Sequence, residues 1–206
     1  MISKVGVTAA TALGGGMASY VGYAYVFKKP EKKTTIREKL GSFLLDTKSS
    51  DKWISRKTQL SEASVDSLVV ELKTLKNGVT DDQIKNWCSE AASKVYEDVS
   101  ALYFENIRTY CTFHVEDKLP EGYIGKDSGD WNKANDRLKQ VQSDATLSGQ
   151  MKAMKAKLTN ASSTDDLKNW CLGVYEKPFL GEDDQDFMDA KDYCAKVESS
   201  AVSPAA

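Results

Sequence analysis

From Val5 to Phe27 the chain carries no charged residue, and beyond it polar and apolar positions follow one another at helical spacing almost to the end. A helix of that length, rising 1.5 Å per residue, reaches across a hydrocarbon core about 30 Å thick. The pattern therefore predicts a single transmembrane helix, an anchor within residues 1–27. It is not strongly hydrophobic, having one Leu and one Met and much Ala, Gly and Thr. Tyr20, Tyr23 and Tyr25 gather near its C-terminal end, where amphipathic rings suit a membrane interface, and Lys28, Lys29, Lys32 and Lys33 follow around Pro30. Small residues recur at every fourth position, Gly6, Ala10, Gly14, Ala18 and Gly22, the stripe along which membrane helices pack closely. That stripe predicts self-association or pairing with a partner span, although a segment rich in Gly and Ala produces such a register by composition alone. A cleaved signal peptide is the rival reading. No small-x-small cleavage site follows the run, which favours an uncleaved anchor.

A basic linker with a short helix is expected over 28–49. Ser61 then reads as the cap of a helix bearing Val65, Leu68, Val69, Leu72 and Leu75, closed by Asn77 and Gly78. Thr80 with Gln83 reads as a capping box, and Ile84, Cys88, Ala91, Val95, Val99 and Leu102 form one stripe behind it. Further on, a helix with Leu138 and Val141 precedes one with Met151, Met154 and Leu158. Ser163 or Thr164 restarts the chain, Lys177, Pro178 and Gly181 break it, and Asp183–Val197 resumes with Phe187, Ala190 and Cys194 inward. Alternating runs of Val, Ile and Thr are scarce, so the expected fold class is all-α.

Two stretches repeat. Residues 81–88 read DDQIKNWC and 165–171 read DDLKNWC, and each Cys is followed 23 residues later by a second Cys preceded by Tyr, at Cys111 and Cys194. Trp53 and Trp131 lie upstream, so all four Trp and all four Cys fall into two matched sets. This predicts a bundle of two tandem helical units, 50–114 and 128–197, with a linker at 115–127 and a disordered tail at 198–206. Trp53, Trp87, Trp131 and Trp170 read as core anchors of the units; an exposed KNWC Trp would instead be a binding hot spot.

In one straight helix, residues 23 apart are separated by about 34 Å, whereas a disulfide needs Cα atoms within about 7 Å. The break at Pro178–Gly181 folds the second unit towards a hairpin. If the units share a fold, the first needs a break near Glu97–Ser100. Three readings stay open for Cys88, Cys111, Cys171 and Cys194: disulfides in an oxidising place, buried thiols, or a zinc site, the last without a C-x2-C knuckle and with His114 as the lone His.

The chain has 206 residues, 41% hydrophobic and 28% charged, with a net charge of −2, the usage of a folded protein. Residues 1–33 carry five Lys against Glu31 alone, leaving the body mildly acidic, which argues against nucleic acid as a partner. The partners expected are the membrane and a protein meeting the helical body. Lysines after the span place that body in the cytoplasm, whereas paired cysteines place it outside, the side slightly preferred.

Catalytic signatures are missing from the pattern: there is no G-x-S-x-G, no phosphate-binding Gly-Lys-Ser/Thr loop and no H-E-x-x-H. Gly14, Gly15 and Gly16 sit inside the apolar run. The acidic run Glu182–Asp186 lacks the ligand spacing of a calcium loop and reads as charge at a helix N-terminus. His114, near Glu116 and Asp117, reads as a solvated loop side chain rather than a general base. No catalytic residue, cofactor site or metal site is expected, and the chain does not read as an enzyme.

The apolar N-terminal span ending in lysines, the Lys-rich linker, the early Trp and the K-x-W-C motif with a later Tyr-Cys together resemble the uncharacterised paralogous proteins of haemotropic mycoplasmas. That resemblance covers most of the chain. It implies a wall-less parasite of red blood cells and a protein held at its membrane, commonly suspected of surface display. It lends no functional residue. The resulting expectation is a membrane-anchored helical protein, surface-displayed for binding or as an antigen, with a cytoplasm-facing scaffold as the alternative and an unrecognised enzyme behind both.

Overall fold

The computed structural model describes residues 33–120, 122–160 and 164–196. They form helices α1 (Ile36–Leu40), α2 (Ser50–Glu62), α3 (Val70–Leu75), α4 (Asp81–Ser93), α5 (Ala101–Cys111), α6 (Trp131–Lys139), α7 (Gly149–Thr159), α8 (Asp166–Tyr175) and α9 (Gln185–Tyr193). Short 3-10 turns and isolated antiparallel bridges join them.

The expected transmembrane helix is corrected here. Among the described residues no helix is long and apolar enough to cross a membrane. The longest, α2 and α4, have 13 residues each, about 20 Å at 1.5 Å per residue, and both carry charges along their length. The segment Val5–Phe27, with Gly6, Ala10, Gly14, Ala18 and Gly22, lies outside the described residues, as does the tail after Lys196. The architecture stands as an all-α helical bundle. Among the described residues, the single-pass membrane span and self-association through it find no helix to carry them.

Local sequence explains where most helices begin. Thr80 accepts the Gln83 N–H while the Gln83 side chain accepts the Thr80 N–H, the expected capping box. Ser100, Ser148 and Asp184 cap α5, α7 and α9 by accepting the backbone N–H three residues on. Between α4 and α5 the helix breaks at a 3-10 turn over Tyr96–Asp98, close to the break that equal units require. The helix expected from Ser61 to Leu75 is not continuous. Ser61 lies inside α2, and the chain leaves it at Ala63, makes a 3-10 turn at Val65–Ser67 and passes extended through Leu68 and Val69 before α3. Asn106 of α5 causes this: its amide oxygen accepts the Val69 N–H at 2.8 Å and its NH2 donates to Ser67 O at 2.8 Å. Two buried side-chain bonds to the backbone replace those a helix would have made there.

The duplication is more complete in space than in the letters. Ile36 N–H donates to Lys94 O at 2.9 Å, and Val115 N–H to Lys177 O at 3.0 Å. Tyr96 N–H meets Thr34 O as Phe179 N–H meets Phe113 O; Leu45 N–H meets Cys111 O as Ile124 N–H meets Cys194 O. Phe113 N–H meets Phe43 O as Lys196 N–H meets Gly122 O. The indole N–H of Trp53 donates to Asp46 O, and that of Trp131 to Gly125 O. Lys76 reaches back to the Ala63 carbonyl at 2.6 Å, and Lys155 to the Val141 carbonyl at 2.6 Å. The repeated pattern thus runs from Thr34 to Thr112 and again from Phe113 to Lys196, taking in residues that read as linkers. Equivalent positions lie 79 residues apart up to Asp46 and Gly125, 78 apart at Trp53 and Trp131, and 83 apart from Lys94 and Lys177 onward. Most of the change falls at α7, which has 11 residues where α3 has 6.

Each repeat has its own apolar core. Ile36, Trp53, Leu60, Leu72, Ile84 and Ile107 lie in one; Val115, Trp131, Leu138, Met151, Leu167 and Phe187 lie in the other. Trp170 is only half-buried, packed at the edge of the second core. Phe43 of the first repeat stacks on Phe179 of the second at 5.9 Å, joining the two. Each core is closed by a disulfide, Cys88–Cys111 between α4 and α5 and Cys171–Cys194 between α8 and the end of α9, with Cα separations of 5.4 and 5.6 Å. The buried-thiol and zinc readings end here, since paired sulfurs offer neither a thiol nor a thiolate ligand.

Candidate functional site

Where the repeats meet, polar side chains are buried. Arg56 sits on the inward face of α2 with Trp53 and Leu60, and is completely enclosed. Its guanidinium donates to Thr112 O and to the carboxylate of Asp117, which belongs to the 3-10 turn Glu116–Lys118 opening the second repeat. Asp117 also accepts the His114 N–H at 2.8 Å and an ion pair from Lys52 at 3.3 Å. Burial alone would push its carboxyl upward, but Arg56, the His114 N–H and Lys52 together hold it below the ordinary carboxylate range. Neighbouring Glu116 moves the other way, raised by burial and by the Asp117 charge, with the Ser55 hydroxyl donating to it.

His114 is corrected from a solvated loop residue to a core one, with 1% exposure. Its Nε2–H donates to Thr109 O at 2.7 Å, a carbonyl that admits only the donor tautomer. Nδ1 is then a buried acceptor with no partner among the described residues. Burial, and then the Arg56 charge, push the ring down to about 3, so it is neutral over the physiological range. A base needs access to its proton. This imidazole is tied to a carbonyl and shut from solvent, and the cluster as arranged fastens one repeat to the other.

Sequence reasoning set His114 beside Glu116 and Asp117 but passed over Arg56 and Lys52. A signal existed: Arg56 occupies an apolar position of the α2 stripe, three residues after Trp53 and four before Leu60. Of the candidate anchors, Trp53, Trp87 and Trp131 are buried, whereas Trp170 is partly open. The four cysteines lie at two equivalent places, one per repeat, rather than together. Among the described residues no group of three or more His, Cys, Asp or Glu is disposed to hold a metal ion.

Beside the Cys88–Cys111 disulfide lies a cavity of about 180 Å³. Leu44, Leu45, Trp53, Ala92 and the disulfide form its walls, and Arg37, Asp46 and Thr47 stand at its exposed rim.

No family model, curated protein or solved structure matches the chain. The expectation of a membrane-anchored protein, displayed at the surface or held as a scaffold on the cytoplasmic side of a cell membrane, falls with the span that would have carried it: among the described residues none is present.

Proposed function

We propose that this chain is a non-catalytic binding protein that works in an oxidising compartment, where two copies of one disulfide-closed helical unit present different faces. The observation that carries the reading is the contrast between the inside and outside of the repeats. Equivalent positions of the scaffold keep their roles: the buried Trp53 and Trp131, the half-buried Lys76 and Lys155, and the cysteine pairs. Equivalent outer positions do not. Val65, Val70 and Leu102 of the first repeat are exposed, Val70 by 74%, where the second has Asp144, Gly149 and Gln185. The second repeat exposes Leu180 and Met188 where the first has Glu97 and Glu105, so each copy shows its own apolar positions. A constant scaffold with diverged surfaces suits contact with a partner, and Val70, the most exposed large apolar side chain among the described residues, marks the face to test. Buried disulfides belong to compartments that oxidise thiols. The likeness to the mycoplasma proteins is proposed on its motifs alone and adds no activity.

The test places a photo-crosslinking residue at Val70, and separately at Gly149, in the cells that make the protein. A discrete adduct from position 70 and none from 149 is expected. Equal labelling from both, or none from either, sinks the reading. Alkylation under acid quench should find all four cysteines oxidised.

A further inference from the structure

The cavity beside the first disulfide has a counterpart in the second repeat, and there it is filled. Four residues after Cys171, α8 carries Tyr175; four residues after Cys88, α4 carries Ala92. The Tyr175 hydroxyl donates to Cys194 O at 2.8 Å and lies 3.2 Å from Ile124 O, and its ring packs against Tyr123 at 4.9 Å. The equivalents of Cys194, Ile124 and Tyr123 are Cys111, Leu45 and Leu44, since Leu45 N–H bonds Cys111 O as Ile124 N–H bonds Cys194 O and Leu44 bridges Thr112 as Tyr123 bridges Ala195. All three line the cavity, together with Ala92 itself. Ser89 replaces Leu172 on the same wall, widening it further. The first repeat therefore keeps the surroundings of a tyrosine ring and lacks the ring. The cavity is open on one side and lined by polar groups, Lys85 and Ser89 among them, as well as apolar ones. Its volume of about 180 Å³ is on the scale of the roughly 150 Å³ that holds a benzene ring.

We propose that this cavity binds a phenolic ring, the side chain of a tyrosine presented by a partner polypeptide, seated as Tyr175 is seated in the second repeat. The rim supports a polypeptide source: Arg37, Asp46 and Thr47 stand exposed around the mouth and offer a cation, an anion and a hydroxyl to the backbone flanking an inserted side chain. The proposal deepens the binding reading above, but it rests on the cavity rather than on the Val70 face.

The full oxidised chain is titrated with p-cresol, N-acetyl-tyrosinamide and N-acetyl-phenylalaninamide, following the Trp53 indole N–H and the Leu45 and Ala92 amides by NMR. Saturable shifts are expected with the first two. The phenylalanine analogue should bind about tenfold more weakly, because no hydroxyl reaches the two carbonyls. Ala92→Tyr fills the cavity from within and should abolish the shifts while raising the melting temperature; Ser89→Leu, a smaller change, should weaken binding in a chain that folds as before. Absence of saturable shifts, persistence of shifts in Ala92→Tyr, or equal binding of the phenylalanine analogue overturns the proposal. Binding of p-cresol without N-acetyl-tyrosinamide overturns the polypeptide source. Each failure leaves the crosslinking result at Val70 standing.

Discussion

The guanidinium of Arg56 crosses from the first repeat to the carboxylate of Asp117 at the start of the second, and the arginine is wholly enclosed. Two charges withdrawn from water favour folding only when each has the other. Asp117→Asn strips the partner from a buried cation and should cost about 3–5 kcal/mol in urea unfolding. Arg56→Met should cost a similar amount, and the double variant less than the sum. Additive losses would show that the pair is not coupled.

The buried imidazole sets a pH dependence. His114 is pushed down to about 3 in the fold, against about 6.5 in the unfolded chain. Below the unfolded value the unfolded state binds the proton more readily, so stability is full above about pH 6.5 and declines as pH falls towards 3. Carboxylates also titrate in that range, so the readout is the difference between the native chain and His114→Gln. Unfolding free energies of the two should converge on acidification. Parallel curves would mean that His114 is not buried neutral.

Each disulfide closes a loop whose ends are 23 residues apart. Loop-closure entropy assigns about 3 kcal/mol to a loop of that size. Paired Cys→Ser changes at 88 and 111, or at 171 and 194, should each lower the melting temperature by that equivalent, separately for each repeat. All four sulfurs belong to buried residues, so mild reductant should leave both bonds intact until urea opens the cores. Rapid reduction without denaturant would contradict the packing.

Lys76 donates to the carbonyls of Ser61 and Ala63 at 2.8 and 2.6 Å, closing the C-terminal end of α2. Lys155 meets Val141 O and the Asp144 carboxylate beyond α6. A charged donor on orphan helix carbonyls is stabilising. Lys76→Met and Lys155→Met keep the stem and remove the charge, and each should cost about 1 kcal/mol. Amide exchange should quicken at the end of the affected helix alone.

Much of the second half of each repeat was legible because local chemistry fixes it. The Thr80 capping box, the KNWC helix and the spacing of Met151, Met154 and Leu158 all appear where their side chains dictate. The first half was not, for a reason visible in the numbering. The offset between repeats moves from 78 or 79 to 83, mostly through the added length of α7, so a search keyed to the cysteines loses the kinship of Lys76 with Lys155 and of Glu38 with Asp117. Those acids do the same work, accepting the N–H of Thr35 and of His114 respectively. The Ser61–Leu75 helix failed because Asn106, distant in sequence, captures the Val69 N–H. The burial of His114 was hidden likewise: charged neighbours suggest solvent, and only Arg56, far upstream, turns that stretch into an interior. The apolar span was read from its uncharged length and its tyrosine and lysine flanks, and its residues lie outside those described.

The hydrogen bond that seats Phe113 on Phe43 recurs where Lys196 meets Gly122. In the first case the donor is the opening residue of the next unit. The trailing edge of one module is thus the leading edge of its successor, and the Arg56–Asp117 pair fastens the joint from within. An architecture of this kind grows by gene duplication in register, each added copy meeting a joint already in place. Lengthening inside a copy, as in α7, leaves the joints untouched, so the number of modules and the size of each are free to evolve independently.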